Sequence, residues 1–402
     1  MSDGESAPPL HGIRVLDLTR FLAGPFCSML LADYGADVVK FESPKGREFR
    51  FPGANRDSYF FLSSNRGKRS VTLDLHADGS TELLLRLLPR FDVLVENFRP
   101  SVMSEIGLAP EMLVERFPRL VYCNISGFGR DGPYSDRPGF DQIAQGMSGF
   151  MSLTGTPESG PTRAGIAIAD LLAGIFAAQG IMLAIIARER DGKGQIVDTS
   201  LLEAMVGVLS WGAGMYFESG GAPPQAGHHH PLASPYGRFR ARDGYINIAS
   251  GSDAMWRKLA VALGRERWLS DDRFSHSISR IQNRAELSLE IESVLSSEDA
   301  AHWVALLNGA GVPTGPVLDV KQVFEDPQVL ARRMLVELSH PEVGTFKTTG
   351  LPVKLSRTPG SIDRRPPLLG EHTDEVLAEC GLDGAEIASL RMRKIIGASS
   401  TP

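Results

Sequence analysis

The alternation of short apolar runs with helical stretches over the first 130 residues constrains this chain most. "IRVLDLT" (13–19) reads as a strand and "PFCSMLLADYG" (25–35) as a helix, with Pro25 near its start and Gly35 at its end. "ADVVKFE" (36–42) reads as the next strand. "SVTLDL" (70–75), "FDVLVENF" (91–98) and "LVYCNISGFG" (120–129) continue the series, with helical stretches near 79–89 and 109–117 between them. Apolar strands alternating with helices build an α/β fold whose mostly parallel sheet is covered on both faces. Ligands of such sheets sit beyond the carboxyl ends of the strands. Here those ends are Thr19-Arg20, Glu42-Ser43, Glu96-Asn97-Phe98 and Ser126-Gly127-Phe128.

The remainder divides by composition. A helix after Asp170 runs to about Arg190 and stops at "DGKG", and "SLLEAMVGVLSWGAGMYF" (200–217) reads as a second helical stretch. "ESGGAPPQAGHHHPLASP" (218–235) shifts to Gly, Pro and His and marks a linker or loop. "YGRFRARDGYINIAS" (236–250) reads as a hairpin turning at Asp243-Gly244. With helices near 253–263, 284–296 and 299–309, it makes a smaller α/β domain that closes at "GVPTGPVLD". Hairpin material follows at 334–356, and closing helices begin near 366. The expected boundaries are 1–220 for the first part of a large domain, 221–330 for the small one, and 331–402 for a segment completing the large one.

Bulk numbers exclude several classes. A net charge of −6 over 402 residues gives no general attraction to nucleic acid or anionic lipid, so a phosphate-bearing partner needs a local basic patch. Three cysteines without CxxC spacing argue against a structural zinc site or a disulfide scaffold, and suit a cytoplasmic setting. The start MSDGESAPPL has no positive or apolar leader character. The apolar stretch 171–187 is interrupted by Gln179 and two glycines, and is expected to be a core helix.

Asp170, inside "GIAIADLLAGIFAAQG" (165–180), is the residue of greatest chemical interest. An unpaired buried carboxylate is costly. The residues leave two readings that are not exclusive: a helix N-cap, or an ionised nucleophile held at a helix start. "NRGKRS" (65–70) is either a solvated turn or a phosphate anchor. "RFLAGP" stands where a GxGxxG would follow the first strand, and neither a GxxxxGK[ST] nor a GxSxG occurs. Adjacent His228, His229 and His230 read as a loop tract, because neighbouring histidines rarely face one ion. Asp141 reads as a cap for "QIAQGMSG".

Taken together, "LDLTRFLAGPFCSMLLADYGADVVKFESP", "NRGKRSVTLDL", "DVLVENFRP", "ISGFGRDGPY", "PGFDQIAQGMSG", "DGKGQIVD" and "PPLLGEHTDEVL" resemble the class III CoA-transferase family, in order and over nearly the whole chain. The resemblance implies a Rossmann-like large domain plus a smaller α/β domain in an interlocked homodimer. It implies an acyl-CoA:carboxylate CoA-transferase with no tightly bound cofactor, using coenzyme A and acyl-CoA as substrates and a small carboxylic acid as acceptor. "RAGIAIADLLAG" places Asp170 on the family's covalent aspartate. CoA contacts fall on Leu22 and Ala23, Asn65 and Lys68, Asn97, Phe98 and Arg99, and Ser126, Gly127 and Phe128. Formyl-CoA:oxalate members carry Arg where this chain has Ser43 and Glu105, so Lys45, Lys68, Arg69 or Arg99 would take the phosphates. Racemase members place a histidine where this chain has Phe140, which favours transfer over a 2-methylacyl-CoA isomerase. A non-catalytic acyl-CoA-binding protein is the remaining alternative.

Overall fold

A computed structural model describes residues 7–45 and 58–397. Two compact units emerge, one of 1–150, 163–211 and 327–402, the other of 151–162 and 212–326. In the larger unit six strands pair in parallel: β1 (Arg14–Asp17), β2 (Asp37–Glu42), β3 (Lys68–Thr72), β4 (Val93–Glu96), β5 (Val121–Ser126) and β6 (Ile196–Ser200). Their spatial order is β3-β2-β1-β4-β5-β6, so the winding direction reverses between β1 and β4. In open α/β sheets that reversal leaves a crevice at the strand ends.

Two-residue alternation along each strand divides the core. Leu16, Val39, Val71, Leu94 and Tyr122 face one side with the helix Ser80–Leu87 and the C-terminal residues Val376, Leu377 and Ile395. Val15, Val38, Val93, Val95 and Cys123 face the other, against the helices Ala23–Asp33 and Ile168–Asp191. Those two helices pack closely because Gly174 has no side chain; a Cβ there would lie 2.6 Å from the Ala23 carbonyl oxygen. The chain's end covers the β3 edge: His372 N–H donates to Ser70 O, and Asp74 N–H to Ile395 O.

The strand β6 was not expected from the sequence. "IVDTS" is short, only partly buried and directly follows a helix stop, so its edge position gives it no continuous apolar signature. The stretch 200–217 is two helices rather than one, Leu201–Gly207 and Trp211–Ser219, separated where Ser210 takes a left-handed φ of 47°. The long helix is also only half a core helix. Ala169, Ala173, Ala177, Ile181 and Ala184 are buried, while Ile175, Leu183 and Ile186 are 44%, 58% and 52% exposed. By length and composition it is the one helix among the described residues that could cross a membrane.

In the smaller unit β7 (Tyr236–Arg240), β8 (Tyr245–Ala249) and β9 (Thr314–Pro316) form an antiparallel sheet. Phe239, Ile246 and Ile248 turn inward onto Trp256, Trp268 and Leu259. Residues 151–162, assigned to the large domain by the sequence, belong to this unit: Gln225 Nε2 donates to Thr154 O and Gly227 N–H to Gly155 O. A hairpin of β10 (Leu335–His340) and β11 (Gly344–Thr349) returns the chain to the larger unit.

Candidate active site

At the reversal between β1 and β4, a cavity of about 430 Å³ opens beyond the strand ends. Its walls come from the turn after β1 (Arg20 to Ala23), the turn after β4 (Asn97 to Pro100), the end of β5 (Ile125 to Gly127), residues 137–140, and Asp170. Larger grooves occur elsewhere, one of about 710 Å³ beside the helix Ser80–Leu87, but it lies away from the strand ends and an Arg86–Glu386 ion pair bridges its sides.

Local chemistry shapes each wall. Gly24 lets the first helix start against Thr19, since a Cβ there would lie 2.3 Å from the Thr19 Cβ. Phe21 holds a left-handed φ of 62°, a strained conformation for a non-glycine residue, and its ring meets Phe140 edge-on at 5.9 Å. The Asn97 amide locks the two sides of the crevice. Its Oδ1 accepts from Arg20 N–H at 2.7 Å and its Nδ2 donates to Arg20 O at 2.7 Å. Buried Glu96 sets the next turn, accepting from Phe98 N–H, Tyr122 Oη and Asn124 Nδ2; burial nevertheless pushes its carboxyl up to about 7.

Gly127 and Gly139 let the β5 turn and the 137–140 segment touch, since a Cβ on Gly127 would lie 2.7 Å from Gly139 Cα. Gly127→Ala should therefore spread the crevice and destabilise the fold by about 1–3 kcal/mol, a loss that thermal melting reads directly.

Asp170 is the only carboxylate among the described residues lining this cavity. Its position corrects the capping expectation. The N-cap of the helix Ile168–Asp191 is Ala167, Asp170 is the third helical residue, and its side chain makes no capping bond. The cap comes from elsewhere: Asp141 Oδ1 accepts from Ala169 N–H at 2.9 Å. Asp141 is thus not the cap of its own helix, Asp141–Met147, whose N-cap is Phe140. Nor does the helix start keep Asp170 readily ionised. Burial pushes its carboxyl from the ordinary 3.8 up to about 7, and the Asp141 carboxylate adds to the rise.

That rise has a stability consequence. An unfolded Asp170 loses its proton near its ordinary value, while the folded one keeps it to about 7. Folding stability therefore falls between those pH values and carries the full penalty above them. Asp170→Asn should stabilise the protein by about 1 kcal/mol at pH 8 and by much less at pH 5. Chemical denaturation at the two pH values checks this, and a capping role would give the opposite sign at pH 8.

Of the sequence-predicted contacts, Leu22, Ala23, Asn97, Phe98, Arg99, Ser126 and Gly127 line the cavity with Asp170. Asn65, Lys68 and Phe128 do not. Phe128 packs edge-on against Tyr134 instead. The "NRGKRS" turn is not a solvated turn: its polar side chains are buried and engaged internally. Lys68 Nζ donates to Asp17 Oδ2 (3.1 Å), Pro25 O (2.9 Å) and Asn65 Oδ1 (2.8 Å), which uses all three of its protons. Asn65 Nδ2 donates to Phe61 O. Arg66 pairs with Asp33 at 2.7 Å, and Arg69 with Asp37, Glu375 and Glu379. Basic groups among the described residues lining the cavity are Arg20, Arg99 and Arg137. Arg137 carried no motif signal, standing between Asp136 and Pro138 in a polar loop.

No group of three His, Cys, Asp or Glu that could hold a metal occurs among the described residues. The His228 and His229 rings lie 4.2 Å apart, tilted by 41°, in the smaller unit, and burial lowers the His229 imidazole to about 4.

Comparison with known proteins agrees with this architecture. The chain is 37% identical over 382 residues to succinyl-CoA:glutarate CoA-transferase of Mus musculus, covering 94% of this chain and 88% of the relative. It is 38% identical over 352 residues to acetyl-CoA:oxalate CoA-transferase of Acetobacter aceti, covering 87% and 89%. The crystal structure of a CAIB/BAIF family protein from Brucella suis superposes with a TM-score of 0.84 at 38% identity, covering 93% of this chain and 100% of that one. The family model for CoA-transferase family III matches residues 10–373, and the chain belongs to that family.

Proposed function

We propose that this CoA-transferase moves CoA from an acyl-CoA donor to a small dicarboxylic acid through covalent intermediates on Asp170. The observation that carries the reading is a half-buried carboxylate at the winding-reversal crevice, facing a cavity whose described lining holds no other carboxylate and includes Arg20, Arg99 and Arg137. Asp170 attacks the thioester carbonyl carbon and the C–S bond breaks, leaving a mixed anhydride and CoA thiolate. The thiolate attacks the Asp170 carbonyl, which releases the donor acid and leaves an aspartyl-CoA thioester. The acceptor carboxylate attacks the aspartyl thioester, the C–S bond breaks, and a new anhydride and CoA thiolate form. The thiolate then attacks the acceptor-derived carbonyl, giving the new acyl-CoA and releasing the Asp170 carboxylate. Each intermediate keeps the acyl group activated, so water must be kept away. Phe21, Phe60, Phe98 and Phe140 surround the site with apolar surface suited to that task.

Relatives that act on glutarate and oxalate support a dicarboxylate acceptor. Arg20, Arg99 and Arg137 supply charge for CoA phosphates and for a second carboxylate. Exchange from succinyl-CoA and acetyl-CoA, assayed against mono- and dicarboxylates, tests this. Preference for a dicarboxylate supports the reading, and transfer only to monocarboxylates contradicts it. An isomerase lacks support because the cavity presents Phe140 and no histidine among its described lining residues.

A second copy of the chain suits the exposed stripe of Ile175, Leu183 and Ile186 on the long helix. With charges at two of these positions, Leu183→Glu/Ile186→Glu should run as a monomer in light scattering where the unaltered protein runs as a dimer.

A further inference from the structure

The segment that delivers Asp170 into the cavity is held by two side chains outside the cavity lining, Asp141 and Gln145. Residues 164–167 form no regular element, yet they fix where the helix bearing Asp170 begins. Gln145 is fully buried, and its Oε1 accepts from Ala164 N–H at 2.9 Å. Its Nε2 donates to Asp141 Oδ2 at 2.6 Å, while Asp141 Oδ1 accepts from Ala169 N–H at 2.9 Å. One chain of three hydrogen bonds thus pins both ends of the six-residue run from Ala164 to Ala169. An aspartate suits the centre of this chain because both its oxygens only accept. An asparagine would set its NH₂ against one of the two donors, the Gln145 NH₂ or the Ala169 N–H.

We propose that Asp141 and Gln145 are positioning residues, forming a clasp that aims Asp170 into the cavity and sets a negative charge behind it. This rests on Asp170 being the acylated group. The charge makes Asp170 more basic, and a more basic carboxylate is a stronger nucleophile toward a thioester. Other charged groups around the pair are Arg163, whose guanidinium lies 4.0 Å from Asp141 Oδ2, and the cavity residues Arg20, Arg99 and Arg137.

The test uses the full-length protein and the pH profile of CoA exchange from succinyl-CoA. Asp141→Asn should lower kcat by roughly 10- to 100-fold. It should also move the acidic limb of the profile to lower pH by about one pH unit, because a like charge beside Asp170 is gone. An Asp141→Asn protein that melts like the unaltered one, with its limb unmoved, overturns the proposal. Gln145→Leu keeps the charge but releases Ala164, so it should lower kcat with KM for succinyl-CoA unchanged and with no shift of the limb to lower pH. If Asp141→Asn does not fold, unchanged kcat in Gln145→Leu overturns the clasp. Failure of the underlying reading looks different: Asp170→Ala would then still exchange CoA, whatever the clasp variants do.

Discussion

Asp170→Ala is expected to reduce CoA exchange by roughly 10⁴-fold or more, the scale seen when a covalent nucleophile is removed. Binding of acyl-CoA should persist, because the cavity walls are built by Asn97, Glu96 and the Gly127–Gly139 contact rather than by Asp170. The pattern therefore pairs lost kcat with near-normal ligand affinity, measured by exchange kinetics and by calorimetric titration of CoA. In a binding protein Asp170 would matter only for stability. Removing a charged group that burial disfavours would then leave any exchange intact. Asp170→Asn should be equally inactive, since a neutral amide cannot attack the thioester. The pH dependence follows the same group. Exchange should rise through about 7 as Asp170 loses its proton, in a profile that Asp170 variants lack.

The second large effect is on stability and lies beneath the site. Arg66→Met should destabilise the larger unit by about 3–5 kcal/mol, because it leaves the Asp33 carboxylate buried without its partner. The guanidinium also donates to Thr348 Oγ1 and Thr349 O, so the β10–β11 hairpin loses an anchor at the same time. Guanidinium denaturation should show the midpoint fall. Arg86→Met, which breaks an exposed pair with Glu386, should leave the midpoint nearly unchanged. Lys68→Met should also destabilise, since Asp17 depends on it. Burial alone would raise the Asp17 carboxyl, but Lys40 and Lys68, with the Ser28 and Thr19 hydroxyls, hold it down at about 2. KM for acyl-CoA should not change in Lys68→Met. A raised KM in a protein that melts normally would return Lys68 to the ligand.

These residues show what the sequence could and could not disclose. Strands β1, β2, β4 and β5 were legible because a strand buried on both faces is largely apolar along its length, whereas β3 was read from Ser70 rather than Lys68 because it opens on two cations. The strand ends pointed to Asn97, Phe98, Ser126 and Gly127, whereas Leu22, Ala23 and Arg99 came only with the family resemblance; all seven line the cavity. The strand β6 was hidden because its five residues, IVDTS, are mostly only partly buried and carry no continuous apolar run. "NRGKRS" leaves its partners open in the sequence, because clustered cations look alike whether they meet phosphate or internal carboxylates. Asp17, Asp33 and Asp37, which claim them, lie about 30 to 50 residues away in sequence. Asp170 was found through its oily surroundings and its motif, but its cap was assigned to the wrong carboxylate. Capping from Asp141 spans 28 residues, and no local pattern announces it.

The central claim is that acyl transfer passes through Asp170, and trapping the adduct tests it most directly. The protein is incubated with succinyl-CoA without acceptor, quenched with hydroxylamine, digested and mapped by mass spectrometry. The account predicts a hydroxamate on the peptide "RAGIAIADLLAG" at Asp170, absent when succinyl-CoA is omitted. Unmodified Asp170 with exchange running at full rate, or a hydroxamate on another carboxylate, would contradict it.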